Sequence, residues 1–120
     1  YVETKILLSS STPPTAIFAL SNTILLGTLK AINESTYKIP HDISLISFDD
    51  YTYLDFMNPP ITRVSQPIEE ICSIALIMLL QSMESKVQSK EKLKLPPKLL
   101  VRSSVIKIDE KNICTISNNF

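Results

Sequence analysis

Glycine is nearly missing from this chain, with Gly27 its single representative. Loops that cradle a phosphate need several glycines so that backbone N–H groups can close around the anion, and a sequence this poor in them holds no such loop. Histidine is equally scarce: His41 stands alone, which excludes a His-rich metal site. The two cysteines, Cys72 in an apolar run and Cys114 in a polar stretch, lack C-x-x-C spacing and read as free thiols of a reducing compartment. Neither sign of charge dominates, since 12 basic residues balance 12 acidic ones. Counterion release from nucleic acid requires clustered Lys and Arg, so any contact with DNA is expected from residues other than these. The longest apolar run, 71–80 (ICSIALIMLL), has ten residues and is too short to span a bilayer, so no membrane is expected. No nucleophile has a base beside it, and neither enzyme activity nor a cofactor or metal is expected. No signal peptide is visible, and because the first residue is Tyr1 rather than Met, the natural N-terminus is expected upstream.

What the chain does have is a short apolar run that ends in two acids. Residues 43–48 (ISLISF) are β-branched or aromatic at half their positions and follow turn formers, a pattern that predicts a strand buried on both faces and hence parallel. Asp49 and Asp50 come directly after it. In open parallel sheets ligands bind beyond the C-terminal strand ends. A carboxylate there can accept charge-assisted hydrogen bonds from two neighbouring hydroxyls, which suits a polyol. The other reading is that one acid caps the helix that follows and the second is solvated.

The 120 residues amount to one domain. Val2, Ile6 and Leu7 at helical spacing predict the last turns of a helix, which Pro13 and Pro14 separate from a strand over 15–20 (TAIFAL). Ser21 and Asn22 follow, with Asn22 as the expected N-cap of a helix to about Ser35 whose apolar face is Ile24, Leu25, Leu29 and Ile32. Gly27 lies inside that helix at a cost of roughly 0.5 to 1 kcal/mol against Ala, so another backbone is expected to come close. A short helical segment is expected over 51–57 and a strand over 62–65. Pro67 then opens a long helix with Glu69 and Glu70 in its first turn, apolar nearly all round and so expecting burial on more than one side. Residues 87–92 read as a solvated loop, 99–101 as a strand with Pro96 and Pro97 at an edge or bulge, and 107–120 as a loosely ordered tail.

The order IP.DIS...FDD, then PP.T.V.QP, with PTAIFALSNTILLGTLKAI upstream and LPPKLLVRSS downstream, resembles the C-terminal part of the effector domain of LacI/GalR-type transcriptional repressors. The likeness covers 14–106. It implies an α/β fold, a parallel sheet flanked by helices forming the C-terminal lobe of a two-lobed, periplasmic-binding-protein-like domain. Residues 1–106 would then be part of an effector-binding and dimerisation domain, with 67–98 packing on the other lobe. By resemblance Asp49 accepts hydrogen bonds from a sugar or purine, Asp50 is structural, and Gln66 hydrogen-bonds in the pocket floor, often to the matched acid. Ser21 stands where the family has an effector-contacting Asn, so that contact is weakened, bridged by water or passed to Asn22. Ser47 replaces a Gly and narrows the pocket floor or shifts the strand end; Arg63 replaces a Thr. The family's dimer surface maps onto Ile24 and Gly27 in one helix and onto Tyr53, Phe56 and Met57, although packing within the monomer accounts for these residues equally well.

The function so implied is the effector-sensing and dimerisation part of a cytoplasmic regulator. It would be a homodimer with a small-molecule effector, sugar or nucleobase-like, and would reach DNA through an N-terminal helix-turn-helix outside these residues. The alternatives are an exported sugar-binding protein of a transport system and a regulator whose partner is a protein.

Overall fold

The computed structural model describes residues 1–85 and 92–107. Helix α1 (Val2–Leu8) is followed by strand β1 (Ala16–Ala19), helix α2 (Asn22–Asn33) and strand β2 (Ser44–Phe48). A 3-10 turn at Thr52–Asp55 leads to β3 (Thr62–Ser65), α3 (Ile68–Ser85) and β4 (Lys98–Leu100). The strands form one sheet in the order β1-β2-β3-β4, parallel from β1 to β3 and antiparallel between β3 and β4. Parallel pairing follows from the connections: α2 carries the chain back over the sheet between β1 and β2. The three parallel strands therefore finish at one edge, where Leu20-Ser21, Asp49-Asp50 and Gln66 emerge.

Register puts Ile17 beside Leu45, Ala19 beside Ser47 and Ser47 beside Arg63, so these side chains share one face. That face is the covered one. Leu25 of α2, Leu54 of the 3-10 turn and Ile61 close over Ala19 and Leu45, while Leu8, Ile32 and Ile43 form a second cluster. The opposite face carries Phe18, Ile46, Phe48, Val64 and Leu99, and none of these is buried. Phe18 and Phe48 meet there with ring centroids 6.4 Å apart. The expectation that β2 is buried on both faces is thus corrected to one, because among the described residues no helix covers the second.

Two helices depart from their expected faces. In α1 the buried residues are Thr4 and Leu8, and Val2, Ile6 and Leu7 are exposed. The hydroxyls of Thr4 and Thr28 lie 3.3 Å apart, which turns the Thr4 side of α1 onto α2. A close backbone approach does occur at Gly27: a Cβ there would lie 3.0 Å from the Tyr1 nitrogen, so the neighbour is the start of α1. Helix α3 packs against no other described element, and Ile68, Leu76, Ile77, Leu79, Leu80 and Met83 are exposed along it. Among the described residues no helix is long and apolar enough to cross a membrane. The expected loop over 87–92 (apart from Lys92) and the tail beyond Lys107 lie outside the described residues.

Candidate functional site

At the end of β2 the chain turns sharply, and Asp49 takes φ 76°, a conformation that L side chains seldom adopt. Asp and Asn tolerate it best. The Asp49 N–H donates to the Val64 carbonyl at 3.0 Å, and Gln66 Nε2 donates to Asp49 Oδ1 at 2.8 Å. Among the described residues no hydrogen bond engages Oδ2. The half-buried carboxylate thus has one oxygen fixed by the next strand and a second available to a ligand.

Asp50 is held differently. Its Oδ1 accepts from Arg63 Nε at 2.6 Å and its Oδ2 from Ser65 Oγ at 3.0 Å. Arg63 points into the covered face with its side chain 3% exposed, and its other two nitrogens grip Asp55 at 3.0 and 2.8 Å. Arg102, though exposed, reaches the same Asp55 with its Nε at 2.6 Å, so it is a further ion-pair partner. The four charges cancel in pairs. A buried guanidinium needs such partners, since an unpaired charge in the interior is strongly disfavoured. This cluster was missed from the sequence. Its signal was an arginine at an inward position of a short strand with acids at 50 and 55.

Hydrogen bonds from Arg63 and then Arg102 hold the Asp55 carboxyl well below the usual carboxylate range, against a smaller opposing effect of burial. An unfolded Asp titrates near pH 3.9, so on acidification the unfolded chain takes up this proton first. The stability that Asp55 contributes is complete above that pH and is lost as the pH falls towards its folded value. Asp55→Asn is therefore expected to flatten the dependence of melting temperature on pH below about 4, while leaving its slope near neutrality unchanged. Thermal melts across that range check it.

At the end of β1 the helix cap falls on Ser21 and not on Asn22. Ser21, in extended conformation, is the N-cap of α2, its Oγ accepting from the Ile24 N–H at 3.3 Å. Asn22 is already helical, and its Oδ1 accepts a hydrogen bond from the Tyr53 hydroxyl. The Ser side chain is short enough to fold back on its own helix, which is why it wins the cap. Burial raises the Tyr53 phenol above its ordinary pKa, with Tyr51 adding to it. Ser47 is fully buried on the covered face, next to Ala19 and Arg63, so it does not line the pocket floor. Its Oγ has no hydrogen-bond partner among the described residues.

Of the residues mapped to a dimer surface, Ile24 and Phe56 are exposed, Phe56 at 82%. Tyr53 and Met57 are half-buried and pack on the core cluster. Gly27 faces Tyr1. A groove of about 810 Å³ runs between the end of α2 and residues 57–59, lined by Leu29, Ile32, Ile39 and Met57. It contains neither Asp49 nor Gln66. The two acids lie at the other end of the strands, after β2. The structure brings Asp49 and Gln66 together, and places Ser21 and Asn22 at the end of the neighbouring strand.

Residues 2–105 match the model of the periplasmic binding protein-like domain. The ribose operon repressor of Haemophilus influenzae is 33% identical over 99 residues, covering 82% of this chain. The chain spans only 30% of that repressor's length. Among solved structures, a LacI family transcriptional regulator from Enterococcus faecalis V583 with bound ribose superposes with a TM-score of 0.80 at 27% identity, over 91% of this chain and 40% of that one. The lac repressor dimer bound to operator and an anti-inducer superposes with a TM-score of 0.78 at 26% identity, over 89% of this chain and 37% of that one. The chain belongs to the periplasmic binding protein-like domain family, and the relatives and solved structures it resembles include a ribose operon repressor and LacI family regulators.

Proposed function

We propose that this chain is the effector-sensing and dimerisation part of a cytoplasmic DNA-binding regulator, and that the effector is a sugar or similar small polar molecule bound at Asp49. The observation that supports this most is the Asp49 carboxylate itself. It sits at the ligand-binding edge of a parallel sheet in a sparsely populated backbone conformation, with one oxygen steadied by Gln66. Bound ribose in the E. faecalis relative is consistent with a hydroxyl-rich ligand for such a carboxylate. Ser21 and Asn22, at the end of β1, would form the rest of the site's wall. The uncovered apolar length of α3 would pack on the second lobe, which completes the cleft. Exposed Ile24 and Phe56, with Gly27, Tyr53 and Met57 behind them, would contribute to a homodimer, and DNA would be contacted by a helix-turn-helix outside these residues. Regulators among the relatives favour this reading over a transporter's binding protein.

The test is a thermal-shift titration of the intact regulator, both lobes included, against D-ribose, other neutral sugars and nucleobases. A ligand present at a hundred times its Kd stabilises by about 2.7 kcal/mol. At least one neutral sugar or nucleobase is expected to raise the melting temperature in a saturable way. A flat response to the whole panel would remove the small-molecule reading.

A further inference from the structure

A backbone in the left-handed region persists at a non-glycine residue only where its surroundings over-determine it. Asp49 is held from three sides. Its N–H is bonded to β3 through Val64, its Oδ1 to Gln66, and its neighbour Asp50 is tied to β3 by both carboxylate oxygens. Of those ties the one to Arg63 is the anchored one. The Arg63 side chain is almost wholly enclosed and is fixed independently of Asp50, by two hydrogen bonds to Asp55 and a third to the Ile61 carbonyl at 3.2 Å. Asp50, 34% exposed, follows where the guanidinium points.

We infer that Arg63 is a positioning residue of the ligand site: acting through Asp50, it holds the turn in which Asp49 presents its carboxylate beside Gln66. The inference rests on Asp49 being the ligand-binding acid. The same guanidinium joins this turn to the 3-10 turn, because its Nε faces Asp50 while its two terminal nitrogens face Asp55. Tyr53, in that same 3-10 turn, bonds Asn22 at the start of α2. The ends of β1 and β2 are thereby clamped to one short segment. A planar fork suits this, because its donors point in fixed directions spread across the guanidinium, whereas the three donors of a lysine ammonium radiate from one small centre and cannot span the same separation with bidentate geometry.

The experiment is NMR of the protein with labelled glutamine side chains and aspartate backbones, comparing wild type with Asp50→Ala, Arg63→Lys and the double variant. In the wild type the Gln66 side-chain amide is expected to carry the downfield shift of a donor to a carboxylate, and Asp49 the coupling of a positive φ. Both signatures are expected to be lost in Asp50→Ala and in Arg63→Lys, and the double variant to add nothing further. The methyl signals of Leu25 and Leu45 report that the core is intact. Signatures unchanged in Asp50→Ala with the core intact overturn the inference, and since Asp50 is exposed that variant decides the matter even if Arg63→Lys does not fold. Loss of the signatures in a protein that binds no sugar or nucleobase would sink the ligand reading but leave the role of Arg63 in shaping the turn. Retention of them in a protein that does bind would do the reverse.

Discussion

Asp49→Ala is expected to weaken effector binding ten- to a hundred-fold, measured by calorimetry with whichever sugar or nucleobase shifts the melting temperature. A hydrogen bond to a charged group contributes about 1.5 to 3 kcal/mol, and each 1.4 kcal/mol is about a factor of ten in affinity. The alanine variant also leaves Gln66 Nε2 without its acceptor, so the loss includes a disturbed neighbour as well as a missing oxygen. A companion variant separates binding from folding. Glycine adopts φ 76° without the strain that a side chain meets there, so Asp49→Gly is expected to match or exceed the wild type in stability while binding as poorly as Asp49→Ala. Equal affinity in either variant would show that the ligand does not use this carboxylate. A marked loss of stability in Asp49→Gly would show that the Gln66 hydrogen bond outweighs the backbone strain.

Much of this arrangement was legible in the sequence because it depends on local order. A β-rich run ending in two acids, a proline shortly before each of these strands, and a polar pair after TAIFAL place β1, β2 and β3 to within a residue or two of the observed ends. The motif order leads to the pairing of Gln66 with Asp49, and the single glycine marks a tight approach that the structure shows against Tyr1. What was not legible depends on the third dimension. Cap assignment at Ser21 and Asn22 turned on one residue of helix boundary, which propensity does not resolve because both side chains cap well. The burial of β2 turned on whether a second layer covers the sheet, and an apolar run reads the same either way. For α1, a threonine pair at the contact with α2 overrode hydropathy. Arg63 escaped because its partners lie 13 residues before it, 8 before it and, through Asp55, 47 beyond that, and they converge only once the strands are in register.

That convergence sets the second large expected effect. Arg63→Met keeps the aliphatic stem and most of the volume inside the covered face but removes the charge, so what it tests is the ion-pair cluster and not a cavity. Taking one partner out of a fully buried pair typically costs 3 to 5 kcal/mol, roughly, because the abandoned charge stays out of water. Here Asp50 and Asp55 are each about one-third exposed, and Arg102 and Ser65 still reach them, so water and the surviving partners recover part of the loss. The expected destabilisation is about 2 kcal/mol, read by chemical denaturation at neutral pH. Arg63 and Asp55 share one interaction, and that makes the effect non-additive: Asp55→Asn introduced into Arg63→Met is expected to cost little more, and less than it costs in the wild type. If the two losses simply add, Arg63 and Asp55 stabilise the fold independently, and the 3-10 turn is then held to the sheet by the packing of Leu54 and not by charge.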